Sequence, residues 1–500
     1  MITATRPFIA GTDNGVISAP VALVQPVLTQ ALWQQPDVAA LSVLAAGQHR
    51  VELFMRSWID VTADVRELQT DRGIRRVGGI TRRTEAGTAT VTLGNLARAY
   101  DPTVNSDLYT GVLMRITCSD GTAMQPVFYG RIEGIAVEYG AKGFDATSTL
   151  SAVDAVTALA QRKLATIAAV GAGDTASQRI SRILDAAGWP STARDISTGG
   201  TTLAATTMGQ SAWDLICDAV DAEVGDCWAK ADGTIAFRTF AQALSGAASA
   251  AFADNGTGYA YTEIAVAYDD DNARNQVEYA LAGSSTVTTI TDTDAVTKYT
   301  QSIPVTLSDK SLPHSTQTLA DAWASLALYV LATPELRIEK IQVVPVTQAG
   351  LPTSVLALDV SSRVTVRFQP PGGGAPISQS AWVRGISHYR RADTPWTVTL
   401  TLGSASRYRF LTLDDADLGK LDSWAMVDSA QTFTGGRYVS VSGSVVPRPD
   451  INQLANQMVM VFPSYAAVTA AITSPTVGMQ VQITSPFERR FYNGVGWVKA

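Results

Sequence analysis

The sequence is short of the residues from which most catalytic sites are built. Its 500 residues contain only three histidines, His49, His314 and His388, and none has a second His or a Cys three or four positions away. Zinc-hydrolase spacing is therefore absent. Glu52 does follow His49 by three, but in a strand that spacing points the two side chains to opposite faces. The cysteines, Cys118, Cys217 and Cys227, are odd in number and form no C-x-x-C. They indicate neither a disulfide framework nor a zinc ribbon and read as small buried hydrophobes. There is no G-x-S-x-G elbow and no cysteine in a nucleophile context. The Gly372–Gly374 run is followed by neither Lys-Thr nor a helix, so it does not read as a phosphate cradle.

Charge is scarce as well. Only 17% of residues are charged, so the surface must lean on Thr, Ser, Gln and Ala, as in β-rich proteins that bury surface against partners. The net charge is −7, with thirty Arg to eight Lys and no basic stripe to neutralise a phosphate backbone. The longest apolar run, 319–333, carries Asp321 and ends before Pro334, too short and too polar for a membrane span. The opening Met-Ile-Thr-Ala-Thr-Arg lacks the basic region and apolar core of a secretory signal, which leads us to expect folding in the cytoplasm where the chain is made.

What is present is length and strand patterning. A chain of this size exceeds one hydrophobic core and implies about three to five domains. Residues 1–48 mix Pro, Gly and Ala and read as an N-terminal extension that packs on a neighbour. In 49–162, short β-rich segments such as Val51–Met55, Thr88–Leu93 and Phe128–Ile135 alternate with turns, the pattern of a small barrel or sandwich. Thr147–Val156 closes that unit and leads into a short helix.

Residues 163–257 read as an α+β insert. Asp174-Thr175 sits at a helix start, Ile180, Ile183, Leu184 and Ala187 share helical spacing, and Gly188-Trp189-Pro190 stops the helix. Ser211–Asp214 has capping-box spacing, with Trp213, Cys217, Val220 and Val224 on one face. Asp232-Gly233 between Cys227–Lys230 and Ile235–Arg238 signals a two-residue hairpin. A second α+β domain is expected at 258–344, with strands at Ile264–Tyr268, Asn275–Ala280 and Lys298–Val305, a helix at Thr318–Ala332 and a strand at Leu336–Ile341. All-β character returns at 345–410, followed by an acidic, turn-rich linker at 411–457 and a compact β-module at 458–500.

One internal echo stands out. Tyr129-Gly130-Arg131-Ile132-Glu133-Gly134-Ile135, followed by Thr147–Leu150, has a counterpart in Trp382-Val383-Arg384-Gly385-Ile386-Ser387-His388 followed by Trp396–Leu402. In both, an Arg-containing strand with glycine turns into a Thr/Leu-rich strand.

The acidic groups offer little chemistry. Asp269-Asp270-Asp271 lacks the glycine and spaced oxygens of a calcium loop and reads as a solvated turn. Glu133 and Glu138 are a formal carboxylate pair without other glycosidase context. Trp58, Trp228, Trp396 and Trp497 read as packing residues ahead of sugar stacking. No catalytic, cofactor-binding or metal-binding residue emerges, and the chain is not expected to be an enzyme.

Several ordered segments resemble siphophage minor tail proteins of the tail hub (baseplate hub) family. These are Trp58–Thr62, Val65, Arg72–Ile74, Glu85–Asn95 and Tyr100-Asp101-Pro102, then Met114–Ile116 and Phe128–Ile132. The Gly188-Trp189-Pro190 helix end, the turn Met208-Gly209-Gln210 leading into Trp213, and the hairpin at Asp232-Gly233 continue the likeness, which covers roughly 50–410. The resemblance implies a homotrimer with two related β-barrels per chain, the second at 345–410. Such a hub mates with the distal tail protein ring, surrounds the end of the tape measure protein, carries other minor tail proteins or fibres, and meets DNA only in transit through its channel. It belongs to the virion tail tip. Phe462–Tyr465, Ser474–Met479 and Phe491–Trp497 are similar to small β-modules that end many phage tail and fibre proteins, with host cell-wall contact as one implied role. The expected fold is thus mainly β with α+β inserts: two related β-barrel domains plus a small C-terminal β-module. A receptor-binding tail protein that holds a cell-wall glycan is the alternative reading, and a tail-associated hydrolase the third.

Overall fold

The computed structural model describes residues 41–73, 83–140, 143–245, 247–268, 273–306, 312–332 and 336–405, with short pieces between 438 and 499. The extension through residue 40, the Asp269–Asp271 run, most of the linker at 411–457 and the Asn493-Gly494 turn lie outside the described residues.

The first unit contains β1 (His49–Met55), β2 (Ser57–Asp60), β3 (Val65–Gly73), β4 (Glu85–Gly94), β5 (Leu113–Ser119), β6 (Met124–Tyr139) and β7 (Ala146–Val153). They pair in the order β3-β4-β7-β6-β5-β1-β2. β2 and β3 are two arms of one bent segment with a 3-10 turn at Thr62–Asp64 between them, so the ends of the sheet are joined through the chain and it curls into a barrel. The period-two pattern causes this. In β4, Ala89, Val91 and Leu93 are buried while the threonines between them face outward or lie half-buried.

The insert follows as α1 (Ala155–Gln161), β8 (Ile167–Val170), α2 (Ala176–Ala186), β9 (Arg194–Ile196), β10 (Thr206–Met208), α3 (Ala212–Glu223), β11 (Asp226–Ala229), β12 (Ile235–Arg238) and α4 (Phe240–Ser245). Its helices start where the capping residues stand. Asp154 accepts from the Val156 N–H, Thr175 and Gln178 form a reciprocal capping box, and Ser211 accepts from the Asp214 N–H. Ile180, Ile183 and Leu184 join Trp213, Ile216 and Val220 in one apolar core. The β11–β12 hairpin differs from the expected two-residue turn. Lys230 N–H donates to Thr234 O at 2.8 Å and Gly233 N–H to Lys230 O at 2.9 Å, with Gly233 left-handed at φ +87°, giving a three-residue loop. A Cβ at Gly233 would lie 2.5 Å from the Tyr129 ring, so the hairpin tip is pressed against the first barrel.

The remaining elements are β13 (Ala250–Ala253), β14 (Glu263–Ala267), β15 (Gln276–Ala280), β16 (Val287–Thr291), α5 (Thr293–Tyr299), β17 (Pro304–Thr306), α6 (Gln317–Leu331), β18 (Arg337–Val343), α7 (Leu351–Leu356), β19 (Arg363–Phe368), β20 (Ile377–Arg391) and β21 (Thr394–Ser404). The strand expected at Lys298–Val305 begins instead as helix. Asp292 caps α5 by accepting from Ala295 N–H, and the left-handed Thr300 ends it.

The second barrel is not confined to 345–410. β13, β14 and β18, from stretches read as parts of two α+β domains, pair with β19 to β21 in the order β14-β18-β21-β20-β19-β13. Tyr259 bridges Phe252 of β13, and the chain runs on from it into β14, closing this unit as the bent β2–β3 segment closes the first. The α+β elements β15 to α6 are therefore an insertion within the β14–β18 hairpin.

Strand for strand, β3-β4-β7-β6-β5-β1 corresponds to β14-β18-β21-β20-β19-β13. The local geometry repeats too. In β6 the register against β7 shifts between Ile132 and Gly134, making Glu133 the extra residue of a bulge; in β20 it shifts against β21 between Val383 and Gly385, making Arg384 the extra residue. These are the segments of the sequence echo. The units differ at one edge, where β1 lies antiparallel to β5 but β13 lies parallel to β19. One hydrophobic cluster runs through both, including Leu53, Val91, Ile116 and Leu150 from the first and Ile341, Val364, Val383 and Leu400 from the second. In the C-terminal module, 460–462, 480–484, 487–492 and 497–499 form a four-stranded sheet.

Candidate functional site

The two barrels meet along a seam. β3 of the first pairs antiparallel with β20 of the second from Gly73↔Gly385 to Glu67↔Arg391, merging both units into one continuous sheet. Only the part of β20 beyond the Arg384 bulge takes part, because the part before it is paired with β19. Glycine is required where the strands begin to touch. Gly73 has φ +90°, and a Cβ there would lie 2.2 Å from the Arg384 carbonyl oxygen.

Two arginines fix the seam to the insert. Arg384 donates to Asp226 of β11 at 2.7 Å, with both side chains under 5% exposed, and Asp226 also accepts from the Ser361 hydroxyl at 2.8 Å. The guanidinium lies 4.9 Å from the centre of the Trp382 ring. Arg72 of β3 donates to Asp359 at 2.8 Å, and the other Asp359 oxygen accepts from the Trp228 indole N–H at 3.0 Å. First barrel, insert and second barrel thus meet at two carboxylates. A polar cleft of about 420 Å³ beside them is lined by Arg72, Trp228, Lys230, Asp232, Arg238 and Asp359, among others.

At the far end of the seam the structure brings together two histidines that the sequence holds 339 positions apart. The Trp396 ring packs edge-on to His49 at 5.4 Å and stacks on His388 at 5.9 Å, and its indole N–H donates to His388 Nδ1 at 3.2 Å. Arg390 donates to the Gly47 carbonyl at 3.0 Å and contacts His49 Nδ1 at 3.3 Å. Burial, then the Arg390 charge, pulls His49 down to about 3, and burial, then His49 and Arg72, holds His388 well below the ordinary imidazole range. His314 lies elsewhere, with Nε2 3.1 Å from the Ala222 carbonyl oxygen and burial lowering it to about 4.

The other sequence candidates are dispersed. Glu133 and Glu138 lie exposed on β6. Glu52, opposite in face to His49, is buried in a bidentate pair with Arg115 at 2.7 and 3.0 Å, and Arg115 lies 4.4 Å from the centre of the Trp58 ring. Trp228 and Trp396 serve the seam, and Trp497 is buried in the C-terminal sheet. Gly372–Gly374 is an exposed loop. All three cysteines are buried; burial raises Cys118 and lifts Cys217 to about 12 and Cys227 well above its usual range. Among the described residues, no three His, Cys, Asp or Glu side chains gather as a metal ion would need, and no helix is long and apolar enough to cross a membrane. The arginine-to-aspartate contacts of the seam carry no signal in the sequence, since no local pattern marks a pair 158 or 287 residues apart.

Neither a family model nor a curated protein matches the sequence. Solved structures with similar folds exist at low identity. The tail protein from Neisseria meningitidis MC58 is 13% identical with a TM-score of 0.50, over 73% of this chain and 98% of that one. The 43 kDa tail protein of prophage MuSo2 from Shewanella oneidensis is 9% identical with a TM-score of 0.48, over 72% and 98%. The E. coli c3393 protein, a type VI secretion component, is 12% identical with a TM-score of 0.42, over 69% and 75%. This chain shares the fold of the Neisseria tail protein across most of both.

Proposed function

We propose that this chain is the structural hub of a long-tailed phage tail tip, acting through its interfaces and not as an enzyme. Three copies would form a ring of six related barrels. The ring would join the six-fold distal tail ring on one side to the tape measure protein and to fibres or other minor tail proteins, leaving a channel for DNA exit.

The observation that carries this reading is the duplicated strand order, with the two copies fused edge to edge through β3 and β20. A chain built from two equivalent units joined by a sheet seam has the parts for matching a three-fold object to a six-fold one through quasi-equivalent contacts. The seam is held by a buried ion pair to the insert, Arg384 with Asp226, and by a partly buried one between the barrels, Arg72 with Asp359, as suits a rigid assembly element. The fold shared with the Neisseria tail protein supports the same class.

Electron microscopy of the purified full chain, and of virions decorated with an antibody to it, tests the proposal. A three-fold ring located at the tail tip is expected. A monomer that is absent from tails would reject it and favour the receptor-binding alternative. A strongly basic channel lining would also count against it, because it would grip the DNA in transit.

A further inference from the structure

We propose that the second half of β6 in one copy, Gly134–Tyr139, pairs antiparallel with β14, Glu263–Ala267, of the next copy. This would rebuild between chains the β3–β20 seam that exists within the chain. The inference rests on the ring reading and names the surfaces that would close it.

The argument comes from the duplication. β20 corresponds to β6, and β3 to β14. Beyond its bulge, β20 is paired on one side with β21 and on the other with β3. Beyond the equivalent bulge, β6 is paired with β7 on one side, while its pairing with β5 ends at Arg131. No strand among the described residues takes up its second edge over Gly134–Tyr139. Among the described residues β14 is likewise paired with β18 alone and forms the end of the large sheet. One chain therefore carries both halves of a second seam, on two different strands.

The surfaces suit each other. Tyr139 is 54% exposed, with its hydroxyl held by Asp101 and Arg98, and Val266 and Tyr268 are 37% and 66% exposed, so large side chains stand partly open at two strand edges. The register can be transferred. Leu150 and Leu400 are equivalent, and tracing outward from them makes Leu68 equivalent to Ile264, and His388 and Arg390 equivalent to Val137 and Tyr139. Within the chain Leu68 faces Arg390 and Thr70 faces His388. Between chains, Ile264 would then face Tyr139 and Val266 would face Val137. Glu138 would face Ala265, whose partner on β18 is the exposed Lys340, so a carboxylate and an ammonium would lie along one row of the sheet. Because the two edges differ, the contact is head-to-tail and generates rings in preference to isolated dimers.

The test uses the full chain with Val137→Cys and Val266→Cys combined, since all three native thiols are buried. On mild oxidation, covalent oligomers ending in a closed trimer are expected on a non-reducing gel, while each single variant stays monomeric. Rings seen by mass photometry without cross-linking of the pair would overturn this seam and leave the hub reading intact. A chain that is monomeric at every concentration and absent from tails would end both. Dimers formed by either single variant would also overturn the seam, since they require a symmetric contact. Val266→Asp provides a second measurement. It is expected to keep the thermal midpoint of the dispersed chain and disperse the rings, with added Val137→Lys restoring them; rings that survive Val266→Asp would reject the proposal.

Discussion

Arg384 stands in the second barrel where Glu133 stands in the first: each is the extra residue of a bulge that precedes a glycine and begins the half of a long strand that its own barrel pairs on one side only. Arg384 is buried against Asp226, while Glu133 is exposed to solvent. The same backbone device has thus been used once to lock a seam inside the chain and once at an edge that the chain leaves open.

The lock makes Arg384→Ala costly. It strands the buried Asp226 carboxylate, and loss of about 3–5 kcal/mol is expected by urea unfolding. Removing both charges, Arg384→Met with Asp226→Asn, is expected to recover most of that loss. A double variant as unstable as Arg384→Ala would show that the arginine matters through packing on Trp382 instead.

Gly73 and Gly188 are both left-handed, but only Gly73 meets backbone where a side chain would begin. Gly188→Ala is expected to cost about 1 kcal/mol, the ordinary strain of that conformation. Gly73→Ala should cost clearly more, because the β3 and β20 backbones must separate. Equal costs in parallel thermal melts would refute the close approach.

Stability should fall as the solution is acidified from about pH 6.5 toward pH 3. His49 is held down to about 3 in the folded chain, so in this window the unfolded chain takes up a proton that the folded one refuses. The contribution is present in full above the unfolded value and is lost as pH falls. His49→Gln is expected to flatten this part of the curve of unfolding free energy against pH, relative to wild type. An unchanged slope would contradict the burial of the imidazole.

Cys118, Cys217 and Cys227 should resist alkylation while the chain is folded, since burial keeps each thiol protonated and covered. Mass spectrometry after a short iodoacetamide pulse is expected to show no adduct in buffer and three in denaturant. Selective labelling of one cysteine in buffer would mark a local opening.

Much of the first barrel could be read from the sequence because its strands follow one another and alternate cleanly, as Thr88–Leu93 does. The helices of the insert were legible through Thr175, Ser211 and the periodic isoleucines and valines. The sequence hides the start of the second barrel, ahead of 345, for a physical reason. β13 reads Ala-Ala-Phe-Ala and has no pattern of its own; it is a strand because β19, more than a hundred residues on, pairs with it in parallel. β14 and β18 are legible as strands, but the insertion between them hides that they are one hairpin of the second barrel. The ion pairs and the His49–Trp396–His388 stack are long-range contacts, which sequence periodicity does not encode.

That insertion has a consequence for how the chain could change over generations. Residues 268–336 interrupt the β14–β18 hairpin, whereas the equivalent β3–β4 connection runs only from 74 to 84. In an oligomer of six identical chains, any elaboration of this hairpin would be written six times, with crowding at every position. A chain that carries both copies can vary one and hold the other constant, so in the proposed ring new appendages would fall at alternate positions while the shared framework keeps its fit.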